Sequence, residues 1–125
     1  MTIVAFLTVL QLGTAARAEP PPVVRAEVEH LLGSIEASGC TFFRNGSWYS
    51  GSQAKAHLLS KYDYLAARDQ ITTTEDFIYK GATRSSLTGQ PYKVRCGNDA
   101  VVETGQWLRT ALARYRGTIK TPPGG

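Results

Sequence analysis

The sequence predicts an α+β domain in which a small three-stranded antiparallel sheet packs against about four helices. Two short aromatic runs flank Asn45-Gly46, and this pair is typical of the two-residue turn of a β-hairpin. Four longer segments carry apolar residues at helical spacing, which indicates amphipathic helices. A late alternating stretch, residues 92–96, supplies a third strand and ends on a cysteine. Helices grouped against one face of such a sheet are typical of the α+β class.

The first 18 residues have the pattern of a cleaved export signal. Residues 2–12 are almost wholly apolar, and Ala16-Arg17-Ala18 fits a signal-peptidase site. The apolar run is too short to span a bilayer as a retained helix. We therefore expect cleavage after Ala18, a periplasmic location, and a mature chain without a membrane span.

One domain, residues 19–117, is expected after the signal, followed by a disordered tail at residues 118–125. Loss of Arg17 with the signal lowers the number of basic residues from 14 to 13, against 10 acidic residues, for a net charge of +3. The chain has no long run of Lys or Arg, so we do not expect it to bind nucleic acid.

The only two cysteines are Cys40 and Cys96, and both fall in the exported part of the chain. An oxidising compartment lets disulfides persist, so we predict a structural disulfide between them. Closing this long loop would contribute about 4 kcal/mol in the chain-entropy model. The alternative is a metal or redox pair, but His30 and His57 do not complete a finger-like ligand spacing. We expect neither a metal site nor a cofactor.

The first helix is expected after the prolines at 20–22, which favour an extended leader. Apolar residues recur along it at helical spacing: Val24, Val28, Leu31, Leu32 and Ile35. The pattern assigns Glu27 to a face away from the core, places His30 at the flank, and ends the helix at Gly39.

The hairpin strands are residues 41–44 and 47–49, and a helix is expected from Gln53 to about Arg68. Its buried stripe is formed by Ala54, Leu58, Tyr62 and Leu65. A polar stripe lies beside it: His57, Lys61, Tyr64 and Arg68. Side chains three and four residues apart share one side of a helix, so these polar groups should lie together.

Two overlapping capping patterns at residues 72–76 predict the start of a third helix. The turn-forming residues 85–91 then lead to the strand at 92–96. The last helix is expected to begin at Glu103 or Thr104 and to end at Gly117. Pairing of the strand at 92–96 with residues 41–44 would complete the sheet and bring the two cysteines together.

Four short motifs carry a resemblance to a known family. They are Phe-Phe-Arg-Asn-Gly at 42–46 with Tyr49, the spacing of Ala54, His57, Leu58 and Lys61, Thr-Glu-Asp-Phe-Ile at 74–78, and Ser-Ser-Leu-Thr-Gly-Gln-Pro-Tyr at 85–92. In this order, within residues 31–112, the chain resembles the YfeK-like family of small bacterial envelope proteins of unknown function. The resemblance implies a signal peptide and a periplasmic location, and it implies no reaction.

Seven residues form the candidate ligand-binding site: Arg44, Asn45, Tyr49, His57, Lys61, Ser85 and Ser86. Two cations, with hydroxyls and loop amides, could hold a carboxylate or a phosphate. A purely structural interpretation competes with this hypothesis. It assigns Asn45 to the hairpin turn, both serines to hydrogen bonds within their own loop, and His57 to the edge of the core.

Two classes of function remain open. We favour a non-catalytic binding or interaction module of the cell envelope, whose partner is another envelope protein or a small anionic ligand. The alternative is a small periplasmic hydrolase in which Ser85 or Ser86 is the nucleophile and His57 is its base. The chain has no Gly-x-Ser-x-Gly motif and indicates no acidic partner for His57, so we assign no catalytic residue.

The two classes require different geometry. A hydrolase needs His57 within hydrogen-bond reach of a serine, and we expect that His57 lies farther than this from both serines. A binding module needs an exposed patch, which we place around Arg44, Trp48 and Tyr49.

Overall fold

The computed structural model describes residues 2–5 and 19–120 of the chain. Most of the predicted export signal and its cleavage site lie outside the described residues, and so do residues 121–125 of the predicted tail. The signal and its cleavage therefore stay predictions.

Within residues 19–120 the chain forms four helices and four short strands. In chain order they are α1 (Pro22–Ala37), β1 (Thr41–Arg44), β2 (Ser47–Tyr49), α2 (Gly51–Ala66), α3 (Thr74–Gly81), β3 (Lys93–Arg95), β4 (Val102–Glu103) and α4 (Thr104–Lys120). The α+β class is confirmed. Among these helices, none combines the length and the apolar composition needed to cross a bilayer.

The four strands form one antiparallel sheet in the order β2-β1-β3-β4, one strand more than the sequence predicts. Phe42 of β1 pairs with Tyr49 on one side and with Val94 on the other. On the far side of β3, Val94 pairs with Val102 of β4. A strand of two residues is too short to show the alternation that indicates β-structure, so the sequence carries no signal for β4.

Alternate residues of the strands lie on opposite sides of the sheet. The side that meets the helices is called the inner face, and it carries Phe42, Arg44, Tyr49 and Val94. The opposite side is called the outer face, and it carries Thr41, Phe43, Trp48, Lys93 and Arg95. The expected patch of Arg44, Trp48 and Tyr49 is therefore divided between two faces, because Trp48 lies on the outer one.

The predicted disulfide is confirmed. Cys40 and Cys96 are bonded, with a Cα–Cα distance of 4.3 Å. Cys40 precedes β1 and Cys96 follows β3, so the bond joins the two central strands at one end. It closes a loop with a sequence separation of 56 residues that contains the hairpin, α2 and α3.

Three terminal features differ from the predictions. Helix α1 begins at Pro22, because the first helical position needs no N–H donor and suits the fixed φ of proline. Pro20 is buried, so the expected leader is partly packed against the domain. Helix α4 continues through Gly117 to Lys120, so its predicted end at Gly117 is wrong.

The core lies between the inner face and the four helices. Its fully buried side chains include Leu31, Ile35, Phe77, Val94 and Leu108. Helices α1 and α2 approach closely at Gly51, where an added Cβ would lie 2.5 Å from the carbonyl oxygen of Ile35. This close contact fixes the start of α2, which carries the polar stripe.

One charged side chain is buried with the core. Glu27 of α1 is only 7% exposed, so its assignment to a face away from the core is wrong. Arg116 of α4 donates from Nε to Oε2 at 2.7 Å and from Nη2 to Oε1 at 3.0 Å of this carboxylate. Thr74 donates to the same Oε1 at 2.7 Å, and Arg116 also donates to Glu75. These bonds join α1, α3 and α4.

Two helices begin with capping boxes. Ser50 and Gln53 cap α2, as the serine-rich break before it suggests. At α3 the second of the two overlapping patterns is used, with Thr73 as N-cap and Asp76 as its partner. The backbone N–H groups of Thr72 and Thr73 donate to Asp76, and these bonds lower the pKa of its carboxyl.

Candidate functional site

Four polar side chains meet where β1, α2 and the start of β3 come together. Arg44 Nη1 lies 3.3 Å from His57 Nδ1, and His57 Nε2 lies 3.2 Å from the hydroxyl of Tyr92. Lys61 Nζ donates to the same hydroxyl at 3.1 Å and to the carbonyl oxygen of Arg84 at 3.2 Å. We call Arg44, His57, Lys61 and Tyr92 the basic cluster.

Local structure explains how the cluster forms. Arg44 is the last residue of β1 and shares the inner face with Phe42. His57 and Lys61 lie four residues apart on α2 and so occupy the same side of that helix. Tyr92 is held just before β3 by a bond from its N–H to the carbonyl of Thr83.

The hydrogen bonds define which atom carries each proton. A guanidinium can only donate, so Nδ1 of His57 must be the acceptor of the bond with Arg44. Neutral His57 then carries its proton on Nε2 and donates it to the oxygen of Tyr92. That oxygen also accepts from Lys61, so the hydroxyl proton of Tyr92 remains to be donated elsewhere. Arg44, Lys61 and Tyr92 therefore all present donors.

The cluster also shifts the pKa of three of its own members. Burial lowers the pKa of His57, and the charges of Arg44 and Lys61 lower it further. Burial, followed by the charge of Arg44, lowers the pKa of Lys61, and burial raises the pKa of the Tyr92 hydroxyl. The printed ion pairs of the described residues involve Arg25, Lys55 and Arg116 instead. No carboxylate among them offsets the two cations of the cluster.

Two cavities adjoin His57. The first has a volume of about 310 Å³, and its walls include Phe42, Arg44, Tyr49, Leu58 and Tyr92. The second has a volume of about 380 Å³ and is lined by His57, Ser60, Lys61, Tyr64, Leu65, Lys80 and Ser86. Neither lining contains an Asp or a Glu.

Thr104, the first residue of α4, forms part of the wall of the first cavity. It is 2% exposed, and its hydroxyl has no hydrogen-bond partner among the described residues. Its backbone N–H donates to the carbonyl of Tyr92 at 2.9 Å, which fixes the start of α4 against the cluster.

The seven residues of the candidate site do not all meet. Arg44, Tyr49 and His57 line the first cavity, and Arg44 Cζ lies 4.9 Å from the centre of the Tyr49 ring. Lys61 and Ser86 line the second cavity with His57. Asn45 has a φ of 48° in the hairpin turn, and its side chain accepts from the hydroxyl of Thr88.

Ser85 serves its own loop. It is 4% exposed, and its hydroxyl oxygen accepts from the backbone N–H groups of Leu87 at 3.2 Å and Thr88 at 3.3 Å. Both ring nitrogens of His57 are bonded to other residues, and neither partner is a serine. The hydrogen bonds of these described side chains thus contain no Ser–His pair of the kind a hydrolase would use.

Tyr92 is the member of the cluster that the candidate site lacks. The sequence assigns it only to the start of a strand, although it lies two residues before Val94 and so shares the inner face with that core residue. Alternation along the strand was therefore the signal that pointed Tyr92 towards α2.

The pKa of His57 gives a direct check of the cluster. We expect NMR titration to place it below the ordinary value of 6.5, and Arg44→Ala to raise it more than Lys61→Ala does. Because the unfolded chain binds the proton at the higher, ordinary pKa, the folded protein should lose stability as the pH falls from that value through the lowered pKa. His57→Gln should remove this loss, measured by urea unfolding across the same pH range. A titration above 6.5 would contradict the geometry.

Within the described ranges, no group of three or more His, Cys, Asp or Glu side chains is arranged to hold a metal ion.

Comparison with known proteins identifies the family. An uncharacterised protein, YfeK of Salmonella typhimurium, is 37% identical over 68 residues, which cover 54% of this chain and 55% of that relative. The match thus spans about half the length of the relative. No solved structure matches the chain. The model of a family described as "Family of unknown function (DUF5329)" matches residues 22–116, and the chain therefore belongs to this YfeK-like family of unknown function.

Proposed function

We propose that this protein is an exported, non-catalytic binding domain that holds a small organic anion at the basic cluster. The observation that carries the proposal is the pair of half-buried cations, Arg44 and Lys61, on either side of His57 without a carboxylate partner among the described residues. The disulfide between Cys40 and Cys96 supports export, because such bonds persist in oxidising compartments.

The direction of the hydrogen bonds indicates what the ligand offers. Arg44, Lys61 and the hydroxyl of Tyr92 can each donate, and a carboxylate or a phosphate is acceptor-only. An anion bound here would also offset the repulsion that lowers the pKa of His57 and Lys61. A ligand that is itself a donor would leave this repulsion in place.

The first cavity indicates the rest of the ligand. Its walls include the apolar or aromatic side chains of Phe42, Tyr49 and Leu58, and its volume of about 310 Å³ suits a compact molecule. The proposed ligand is therefore a small acid whose apolar body lies against these side chains while its charged group meets Arg44 and His57.

Binding can be tested with three probes of increasing fit: inorganic phosphate, acetate and benzoate. Isothermal titration calorimetry on the protein should give the tightest binding for benzoate, because its ring can bury apolar surface in the cavity. In parallel, each bound anion should raise the pKa of His57 in NMR titrations. Arg44→Gln and Lys61→Gln should each weaken binding about tenfold or more, the usual effect of losing a charge-assisted hydrogen bond.

Matched controls come from the cations that are already paired. Arg25 and Lys55 form ion pairs with Glu19 and Glu36, so Arg25→Gln and Lys55→Gln should leave anion binding unchanged. Circular dichroism should confirm that all four variants fold. Equal binding by the cluster variants and the control variants would refute an anion site at the cluster.

A further inference from the structure

The outer face of the sheet carries a second group of aromatic and cationic side chains. The rings of Phe43 and Trp48 lie 5.3 Å apart, centre to centre. Arg95 Cζ lies 4.8 Å from the centre of the Trp48 ring, and Lys93 Nζ lies 5.6 Å from that of Phe43. Two aromatic rings thus alternate with two cations across β2, β1 and β3.

The helices pack against the other side of the sheet. On the inner face Phe42 meets Trp107 of α4, with ring centres 6.0 Å apart. On the outer face Trp48 is 39% exposed, and both Lys93 and Arg95 are exposed. The outer face is therefore an open surface of the described domain.

Its two cations are not neutralised. Glu103 lies opposite Lys93 in the register, but the two side chains form no ion pair. Arg95 lies opposite Thr41 and likewise has no carboxylate partner within residues 19–120. An incoming carboxylate would be attracted to both, and the aromatic rings beside them would strengthen the contact by burial.

We propose that the outer face binds an extended acidic segment of a partner protein. Exposed Trp and Arg side chains are the residues most enriched among the energetic centres of protein–protein interfaces. Two cations are too few for an anionic membrane, which is typically read by about four to eight basic residues. They are also too few for nucleic acid, whose affinity grows with the number of neutralised phosphates.

The edge of the sheet determines how such a segment lies. β2 is an edge strand, so the backbone groups on its outward side are not paired within the sheet. A segment added along β2 would place every second side chain on the outer face, beside Trp48. Acidic residues at those positions would be drawn towards the charge of Arg95.

The test uses two synthetic peptides of equal length, one alternating Glu with Thr and one alternating Lys with Thr. The Glu peptide should perturb the NMR amide signals of residues 47–49 and 93–95, and the Lys peptide should not bind. Lys93→Gln with Arg95→Gln, and separately Trp48→Ala, should each weaken binding at least tenfold. The exposed cations of α4 provide a control, and Arg109→Gln with Arg114→Gln should leave binding unchanged.

Three results would overturn the proposal. The first is equal binding by the Lys93/Arg95 variant and the α4 control, with both folded by circular dichroism. The second is stronger binding to anionic phospholipid vesicles or to a single-stranded oligonucleotide than to the Glu peptide. The third is a perturbation centred on His57 and Lys61, which would assign the peptide's carboxylates to the basic cluster. The outer face shares no side chain with that cluster, so either site can fail without the other.

Discussion

Replacing Arg116 with alanine is expected to reduce the free energy of unfolding by about 3 kcal/mol, because it leaves the buried carboxylate of Glu27 without its cation. Glu27 accepts two bonds from Arg116 and one from Thr74. The estimate is taken at the low end of the range for buried ion pairs because the Arg116 side chain is 36% exposed. Urea unfolding at neutral pH measures the loss.

Three companion variants separate the ion pair from general effects on α4. Arg114→Ala removes an exposed cation from the same helix and should change stability by less than about 0.5 kcal/mol. Glu27→Gln combined with Arg116→Ala should recover part of the loss, since a neutral amide costs less to bury than a carboxylate. Arg116→Lys should be intermediate, because an ammonium cannot reproduce the two-pronged bond to Glu27. Equal losses in Arg116→Ala and Arg114→Ala would show that the buried pair contributes nothing.

The same arginine should affect stability in acid. Its hydrogen bond is the main reason that the pKa of Glu75 is lowered. A carboxyl whose pKa is lower in the folded state contributes stability above its unfolded pKa and loses it as the pH falls through the folded pKa. In Arg116→Ala this contribution of Glu75 is absent at every pH, so part of the acid-induced loss should disappear.

Loss of the disulfide is expected to have the largest effect. Cys40→Ala with Cys96→Ala should lower the free energy of unfolding by about 4 kcal/mol, because the unfolded chain regains the freedom of a loop closed over 56 residues. Domains of this size are commonly stable by only about 5–15 kcal/mol, so the variant should unfold at much lower urea concentrations.

Reduction of the unaltered protein offers an independent measurement. Dithiothreitol should lower the stability of the unaltered protein to nearly that of the double alanine variant and should leave that variant unchanged. If reduced and oxidised protein unfolded at the same urea concentration, the bond would have no stabilising role.

The features that the sequence predicts well are local ones. Asn45 and Gly46 adopt φ values of 48° and 87°, the left-handed conformations that a tight hairpin turn requires and that these two residues favour. The polar stripe of α2 follows from helical spacing, so His57 and Lys61 are correctly placed on one side of that helix.

The features that the sequence does not predict depend on distant contacts. Glu27 lies three residues after Val24 and four before Leu31, on the apolar stripe itself, but its partner Arg116 is 89 residues away. A charge on a core stripe is a visible signal, and the identity of its partner is not. Ser85 was placed opposite α2, whereas its side chain is taken up by the amides of its own turn.

The four residues of β1 hold both proposed surfaces at once. Phe43 belongs to the outer face and Arg44, its neighbour, to the basic cluster, while the disulfide secures Cys40 just upstream. A one-residue insertion between the cysteine and the turn would rotate the strand and exchange its two sets of side chains. Phe43 would then point at α2 and the guanidinium would face water. Chain length in β1 is thus constrained twice over, and a single indel there would abolish two recognition surfaces that no single substitution removes together.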